Sequence, residues 1–192
     1  MPTGVAIRDA RRHLFEAAER VLLREGPLGL TSRAVTTEAG VAKGVLHRHF
    51  TDFDAFLIAL VLDRIAGVES RSATLLAAAG TGTVTANLAD AVDDVFGPVA
   101  VAIIGLISFR DDLRARLREL RPGGIPLLAE ATDMVAGYLA AERSAGRLAP
   151  GADVSTMALM LVGGANLIFG GAPPGERPSL DEVRRMVASA LR

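Results

Sequence analysis

Leu30-Thr31-Ser32-Arg33-Ala34-Val35-Thr36-Thr37-Glu38-Ala39-Gly40-Val41-Ala42-Lys43-Gly44-Val45-Leu46-His47-Arg48-His49-Phe50 is the stretch from which the fold is read. Its pattern predicts a short helix from about Ser32 to Ala39, a turn at Gly40-Val41, and a second short helix from about Lys43 to Phe50. Two short helices across a tight glycine turn form the helix-turn-helix unit, whose second helix can enter the DNA major groove. Val35, Ala39, Val41, Leu46 and Phe50 turn inward together, with Leu46 and Phe50 four apart on one face. Lys43, Gly44, Val45, His47, Arg48 and His49 are left facing out. A cation, small residues and two imidazoles make an unusual surface for a helix that serves only solubility. Any short helical hairpin shares the apolar half of this pattern, so these residues alone leave DNA binding as one reading among several.

Working outward, residues 1–7 read as a loose arm. Arg8 to Glu25 carries apolar residues at helical spacing (Ala10, Leu14, Ala17-Ala18, Val21, Leu22), with Arg and Glu on the other face. Arg8, Arg11 and Arg12 read as a solvated face, with phosphate contact as the alternative. Gly26-Pro27-Leu28-Gly29 stops this helix, and Thr31 caps the next without a full capping box, because Ala34 stands three residues on. After Phe50, Thr51 or Asp52 caps a long helix from Phe53 to about Ala78, and Thr51 and Asp54 have capping-box spacing. Phe56, Leu57, Leu60, Val61 and Ile65 face inward on it. This helix joins head to body.

The remainder reads as helix after helix. Val84 to Phe96 is followed by a break at Gly97-Pro98, then by one helix from Pro98 to about Leu120, apolar early and charged late. Pro126 opens a helix to about Ser144. Asp153 caps a helix over Val154–Phe169, and Ser179-Leu180-Asp181-Glu182 is a capping box opening a terminal helix to Leu191. No strand pattern or internal repeat appears. The fold class expected is all-α: an N-terminal three-helix unit over residues 1–51, joined to a C-terminal helical domain over residues 52–192.

Composition narrows the function. Of 21 basic and 22 acidic residues, eight basic and five acidic fall in residues 1–50, a balance of +3. The rest of the chain holds 13 basic against 17 acidic, a balance of −4. A slightly basic head on an acidic body suits a head that approaches phosphate, and all three histidines lie in that head. There is no cysteine, which excludes thiolate metal sites and suits a reducing, cytoplasmic setting. The apolar runs Val95–Phe109 and Met157–Phe169 are shorter than the roughly 20 residues that span a bilayer, so no membrane association is expected. No metal site or cofactor motif is present. An all-helical enzyme is the poorer reading: there is no H-E-x-x-H and no G-x-S-x-G elbow.

The run from Leu14 to Leu57, with Ala17-Ala18, Gly26, Gly29-Leu30-Thr31, Arg33, Ala39-Gly40-Val41, Lys43-Gly44, Leu46, His49-Phe50 and Ala55, resembles the N-terminal domain of the tetracycline-repressor family. That resemblance implies a dimeric transcriptional regulator, a repressor released by a small-molecule effector bound in the C-terminal domain. It implies double-stranded operator DNA as partner, with Ser32, Arg33, Lys43, Gly44, Val45, His47, Arg48 and His49 as the contact set. Arg33 is the candidate for a forked hydrogen bond to guanine, Lys43 reaches base or phosphate, and Val45 suits a thymine methyl. The chain also departs from the family pattern. Ala42 replaces the usual capping Ser, Val45 the usual Thr, His47 the usual phosphate-binding Tyr, and Phe53 a Lys. Two backbone anchors are thereby lost, so affinity is expected to be modest or, through His47, to depend on pH. A helical ligand- or partner-binding dimer with weak or lost DNA binding is the alternative.

For the body, Phe96, Ile103, Ile107, Phe109, Met134, Tyr138, Met157 and Met160 are either walls of an effector cavity or plain core packing. Asn166 and Tyr138 are its candidate polar groups. The last two helices are expected to pair with a second copy. Leu161, Gly164, Ala165 and Ile168, with Met157, supply one apolar face, and Leu180, Val183, Val187 and Leu191 supply the other.

Overall fold

The computed structural model describes residues 10–173 and 176–191. Arg8 and the expected N-terminal arm lie outside that range. Ten helices and no strands occur among the described residues. They are α1 (Ala10–Gly29), α2 (Ser32–Glu38), α3 (Gly44–His49), α4 (Phe53–Ala77) and α5 (Val84–Val95). Then follow α6 (Pro98–Phe109), α7 (Asp111–Leu120), α8 (Leu128–Ser144), α9 (Val154–Gly170) and α10 (Leu180–Ala190).

The head forms as its pattern dictates. Leu14, Ala17, Ala18, Val21 and Leu22 of α1 are buried, and α1 packs along α2. The regular part of α1 ends where Gly26 adopts φ 70°, but Pro27 to Gly29 then form a further helical turn instead of the expected loop. Proline suits such a first turn because its missing N–H would be unpaired there anyway. Thr31 caps α2 by accepting the Ala34 N–H at 3.1 Å. An aromatic cluster closes the unit: Phe50 lies 5.9 Å from Phe15 and 5.1 Å from Phe56, centroid to centroid.

α4 is capped by Asp52, whose carboxylate accepts the Ala55 N–H at 2.7 Å. Thr51 and Asp54 do not form the expected capping box. Asp54 instead faces Arg110 and Arg116, both at 3.8 Å. The five inward residues read on α4 are buried, and α4 packs mainly on α8.

The single helix expected from Pro98 to Leu120 is two helices. The break falls at Arg110, which is extended (φ −108°, ψ 99°). Pattern explains it: α6 is apolar but for Ser108, whereas α7 is amphipathic and buries only Leu113 and Leu117. One straight rod cannot place both faces against the same core. Asp111 and Asp112 start α7 where negative charge suits the helix dipole.

α8 begins at Leu128, two residues after the proline expected to open it. Leu127 precedes it in the left-handed region (φ 72°), strained for a branched side chain. Two contacts hold it there. Its side chain is buried, and its N–H donates to Glu130 Oε2 at 2.7 Å. Asp153 caps α9 through the Thr156 N–H at 3.1 Å, and the Ser179–Glu182 capping box opens α10 as expected.

α10 lies across α5 and α9 of its own chain. This corrects the expected pairing surface, because Leu161, Ala165, Val183 and Val187 are buried inside the chain. Gly164, Ile168, Leu180 and Leu191 are half-buried. At Gly164 a Cβ would sit 3.0 Å from Met186 Sδ of α10, so the missing side chain serves the contact between those two helices. The open apolar face of α9 lies around the helix, at Leu159 (65% exposed), Met160 (60%) and Leu167 (75%).

Candidate nucleic-acid interface

The turn between α2 and α3 is set by backbone chemistry. Gly40 adopts φ 64°; its N–H donates to Thr37 O at 3.0 Å, and the Val41 N–H donates to Thr36 O at 3.0 Å. That pair of bonds is a Schellman closure, which requires a left-handed residue at Gly40. Leu46 is fully buried, a burial worth about 2 kcal/mol, which anchors α3 against the head. The orientation of α3 follows from that anchor. His47, Arg48 and His49 are exposed, as are Lys43 and Gly44 before them, while Val45 is half-buried.

Arg33, near the start of α2, is also exposed. Ser32 is different: its Oγ is buried and has no hydrogen-bond partner. Ala42 leaves α3 without a side-chain cap. Phe53, where the family pattern has a lysine, stacks on Phe56 at 5.6 Å and carries the Arg110 guanidinium 5.8 Å above its ring.

Residues on α1 that were not singled out hold this unit in place. The His13 ring donates from Nε2 to Ala39 O at 2.8 Å. Arg20 and Arg24 both grip the Glu38 carboxylate, at 2.7 and 3.0 Å, and those two hydrogen bonds hold its pKa below the ordinary value. His13, Arg20 and Arg24 share one face of α1 by their 3.6-residue spacing, which is legible in sequence. Their targets on α2 are not, because nothing local pairs them. Of the arginines read as a solvated face, Arg12 donates to Glu16 at 3.1 Å and Arg11 sits 4.7 Å above the Phe50 ring.

The residues proposed for an effector cavity do not gather around one space. Met134 and Asn166 line an open groove of about 890 Å³ between the 121–130 segment and α9. Phe96 belongs to a separate cavity of about 160 Å³ between α4 and α6. Ile103 and Ile107 are packed in the core, and Met157 is half-buried against it. Met160 and Phe109 are each 60% exposed and wall no interior space.

Tyr138 belongs to a polar network. Its hydroxyl accepts from Asn87 at 2.9 Å, beside the fully buried Glu142. Burial, then the Glu142 carboxylate, raises the phenol from 10.0 to about 12. Glu142 is met by the Gly80 N–H at 3.3 Å and by Arg147 Nη1, 3.3 Å from Oε2.

Residues 14–60 match the family described as bacterial regulatory proteins, tetR family. No curated protein sequence matches the chain. Solved structures do resemble it over nearly full length. The fatty acid degradation regulator FadR from Bacillus halodurans is 15% identical, with a TM-score of 0.73, covering 100% of this chain and 97% of that one. FadR from Bacillus subtilis, solved with stearoyl-CoA, is 16% identical at a TM-score of 0.70, covering 94% and 97%. A TetR-family member from Streptomyces coelicolor A3 is 23% identical at 0.64, covering 96% and 99%. Members of this family are regulators, not enzymes. Residues 14–60 thus match the tetR family of bacterial regulatory proteins, and over nearly its whole length the chain has the fold of solved TetR-family transcriptional regulators.

Proposed function

We propose that the chain is a homodimeric, sequence-specific DNA-binding repressor that a small-molecule effector releases from its operator. The observation that carries this reading is the shared exposure of Arg33, Lys43, His47, Arg48 and His49 on a helix-turn-helix whose buried side is fully packed. In it, Arg33 and Lys43 meet base edges or phosphates, Gly44 and Val45 allow close approach to the groove, and the three residues after Leu46 grip the backbone. Ser32 contributes through its backbone and through the start of α2, since its hydroxyl oxygen is buried. Residues 1–51 act as the DNA-binding head and 52–192 as the effector and pairing body.

A dimer is needed because two recognition helices must enter successive major grooves about 34 Å apart. The exposed apolar side chains of Leu159, Met160 and Leu167 support α9 as the paired surface. An effector releases DNA only if it binds more tightly to a state whose heads are wrongly spaced.

Lys43 is the only lysine in the chain, which gives a direct test. Acetylation by an amine-selective reagent should weaken binding to the DNA upstream of the gene, and bound DNA should protect Lys43. Lys43→Ala should lower the slope of log affinity against log salt by about 1 if the ammonium meets phosphate. Absence of binding to any oligonucleotide in a random selection would favour the helical dimer without DNA function.

A further inference from the structure

Arg64 of α4 stands between two cavities. On one side is the groove between α1 and α4, which it lines together with Glu19, Asp63 and Arg12. There its Nε donates to Glu19 Oε1 at 2.7 Å, and its terminal amino group contacts the same oxygen. On the other side is the 160 Å³ cavity, whose floor is Val68, Phe96, Ile104 and Leu127. Those four floor residues are buried and apolar. The cavity's rim carries Arg64 and Arg71, with Asp63 and Asp94 beside them.

The Glu19 side chain is only 15% exposed. A carboxylate so buried is costly without a partner, so the Arg64–Glu19 pair ties the head helix α1 to α4. Arg64 is also a lining residue of the apolar cavity, and among the described residues the only arginine that lines both spaces. α6, which supplies Ala100 and Ile104 to that cavity, also packs directly on α1. A ligand that takes Arg64 therefore withdraws the charge that Glu19 depends on.

We propose that this cavity binds a short-chain monocarboxylate, its apolar end on the Phe96 floor and its carboxylate on Arg64, in competition with Glu19. The chemistry selects this class. The volume equals roughly five waters at about 30 Å³ each, which suits a short apolar tail and not a drug-sized body. Arg64 offers a forked donor set matched to a carboxylate. Asp63 and Asp94 flank the rim, so a dianion such as a phosphate ester meets like charge while a monoanion is tolerated. Arg71 lies 3.9 Å from Asp94 in a largely exposed pair and donates to Gly67 O at 3.3 Å; it can add a second cation. The inference rests on the reading of the body as an effector domain and names the chemical class and the route to the head.

Titration calorimetry of the full chain without DNA tests it, with hexanoate as ligand and hexanamide as the neutral control. Hexanoate should bind saturably and about tenfold more tightly than hexanamide, the gain of one charge-assisted hydrogen bond. Ala100→Leu, which fills the cavity without touching the ion pair, should abolish binding. Glu19→Gln should tighten hexanoate binding about fivefold, because the competitor is gone. Circular dichroism would confirm that both variants fold. Equal binding of acid and amide, no saturable binding, or an affinity unchanged by Glu19→Gln would each overturn the proposal. Because no DNA is present, failure of the repressor reading cannot mimic these results. A DNA titration in hexanoate then separates the two. Hexanoate binding that leaves operator affinity intact keeps the cavity assignment and sinks the release mechanism.

Discussion

Ala42 is where a single side chain most clearly departs from what its position calls for. The Val45 N–H donates to Ala42 O at 2.9 Å, and Lys43 is already helical at φ −48°, ψ −37°. Ala42 therefore sits at the entry to α3 without the hydroxyl that would accept a free backbone N–H. Ala42→Ser should stabilise the protein by about 1 kcal/mol. Thermal unfolding should show a rise of about 2–4 °C for a chain of this size. An unchanged midpoint would mean the first turn of α3 is already satisfied by other means. Tyr138, the only tyrosine, gives a second residue-scale test. Its folded pKa lies near 12 against an ordinary 10.0, so the folded state keeps the proton longer than the unfolded chain. Its stabilising contribution is complete below about pH 10 and is lost as pH rises through about 12. Phenolate absorbance should appear near pH 12 in the native protein and near pH 10 in denaturant.

Between elements, the join from α4 to α5 depends on one buried charge. Glu142 of α8 is fully buried, and Arg147 is its cationic partner. Arg147 also donates to Thr81 O at 3.1 Å and Gly82 O at 2.6 Å, while Asn87 reaches Thr81 O at 3.0 Å. The turn over residues 78–83 is thus held by Glu142 of α8 and by Arg147 in the loop that follows it. Arg147→Met would leave a buried carboxylate without its counter-charge and should cost about 3 kcal/mol. Arg147→Met combined with Glu142→Leu should recover most of that loss, measured as urea midpoints, because the orphaned charge is removed as well. A double variant no more stable than the single one would show that the backbone bonds, not the ion pair, hold the turn.

Across the whole molecule, three of the exposed large apolar side chains gather on α9. Leu159, Met160 and Leu167 together exceed what scattered surface leucines explain. If this face pairs two copies, Leu167→Glu places like charges together at the twofold contact. Sedimentation should then show a shift from dimer to monomer, and operator affinity should fall because each head binds alone. Val183→Glu behaves differently, since Val183 is buried within its own chain: it should lower stability first. A Leu167→Glu protein that still sediments as the dimer would move the interface elsewhere.

Local chemistry was enough for the head. The Gly40 turn, the Thr31 and Asp52 caps and the Leu46–Phe50 spacing each act within a few residues, so reading them required no knowledge of distant partners. The same holds for the Ser179 capping box and the break at Pro98. What depended on tertiary structure was every choice between two apolar faces. Periodicity marked stripes on α9 and α10, but both stripes lie against neighbours in the same chain, and only packing shows which face stays open. The bend at Arg110, the left-handed Leu127, and the grip of His13, Arg20 and Arg24 on α2 follow the same rule. The α1 side chains meet groups 14 to 26 residues away, and the bend and the left-handed residue depend on which side chains the core takes in, which a linear pattern does not encode.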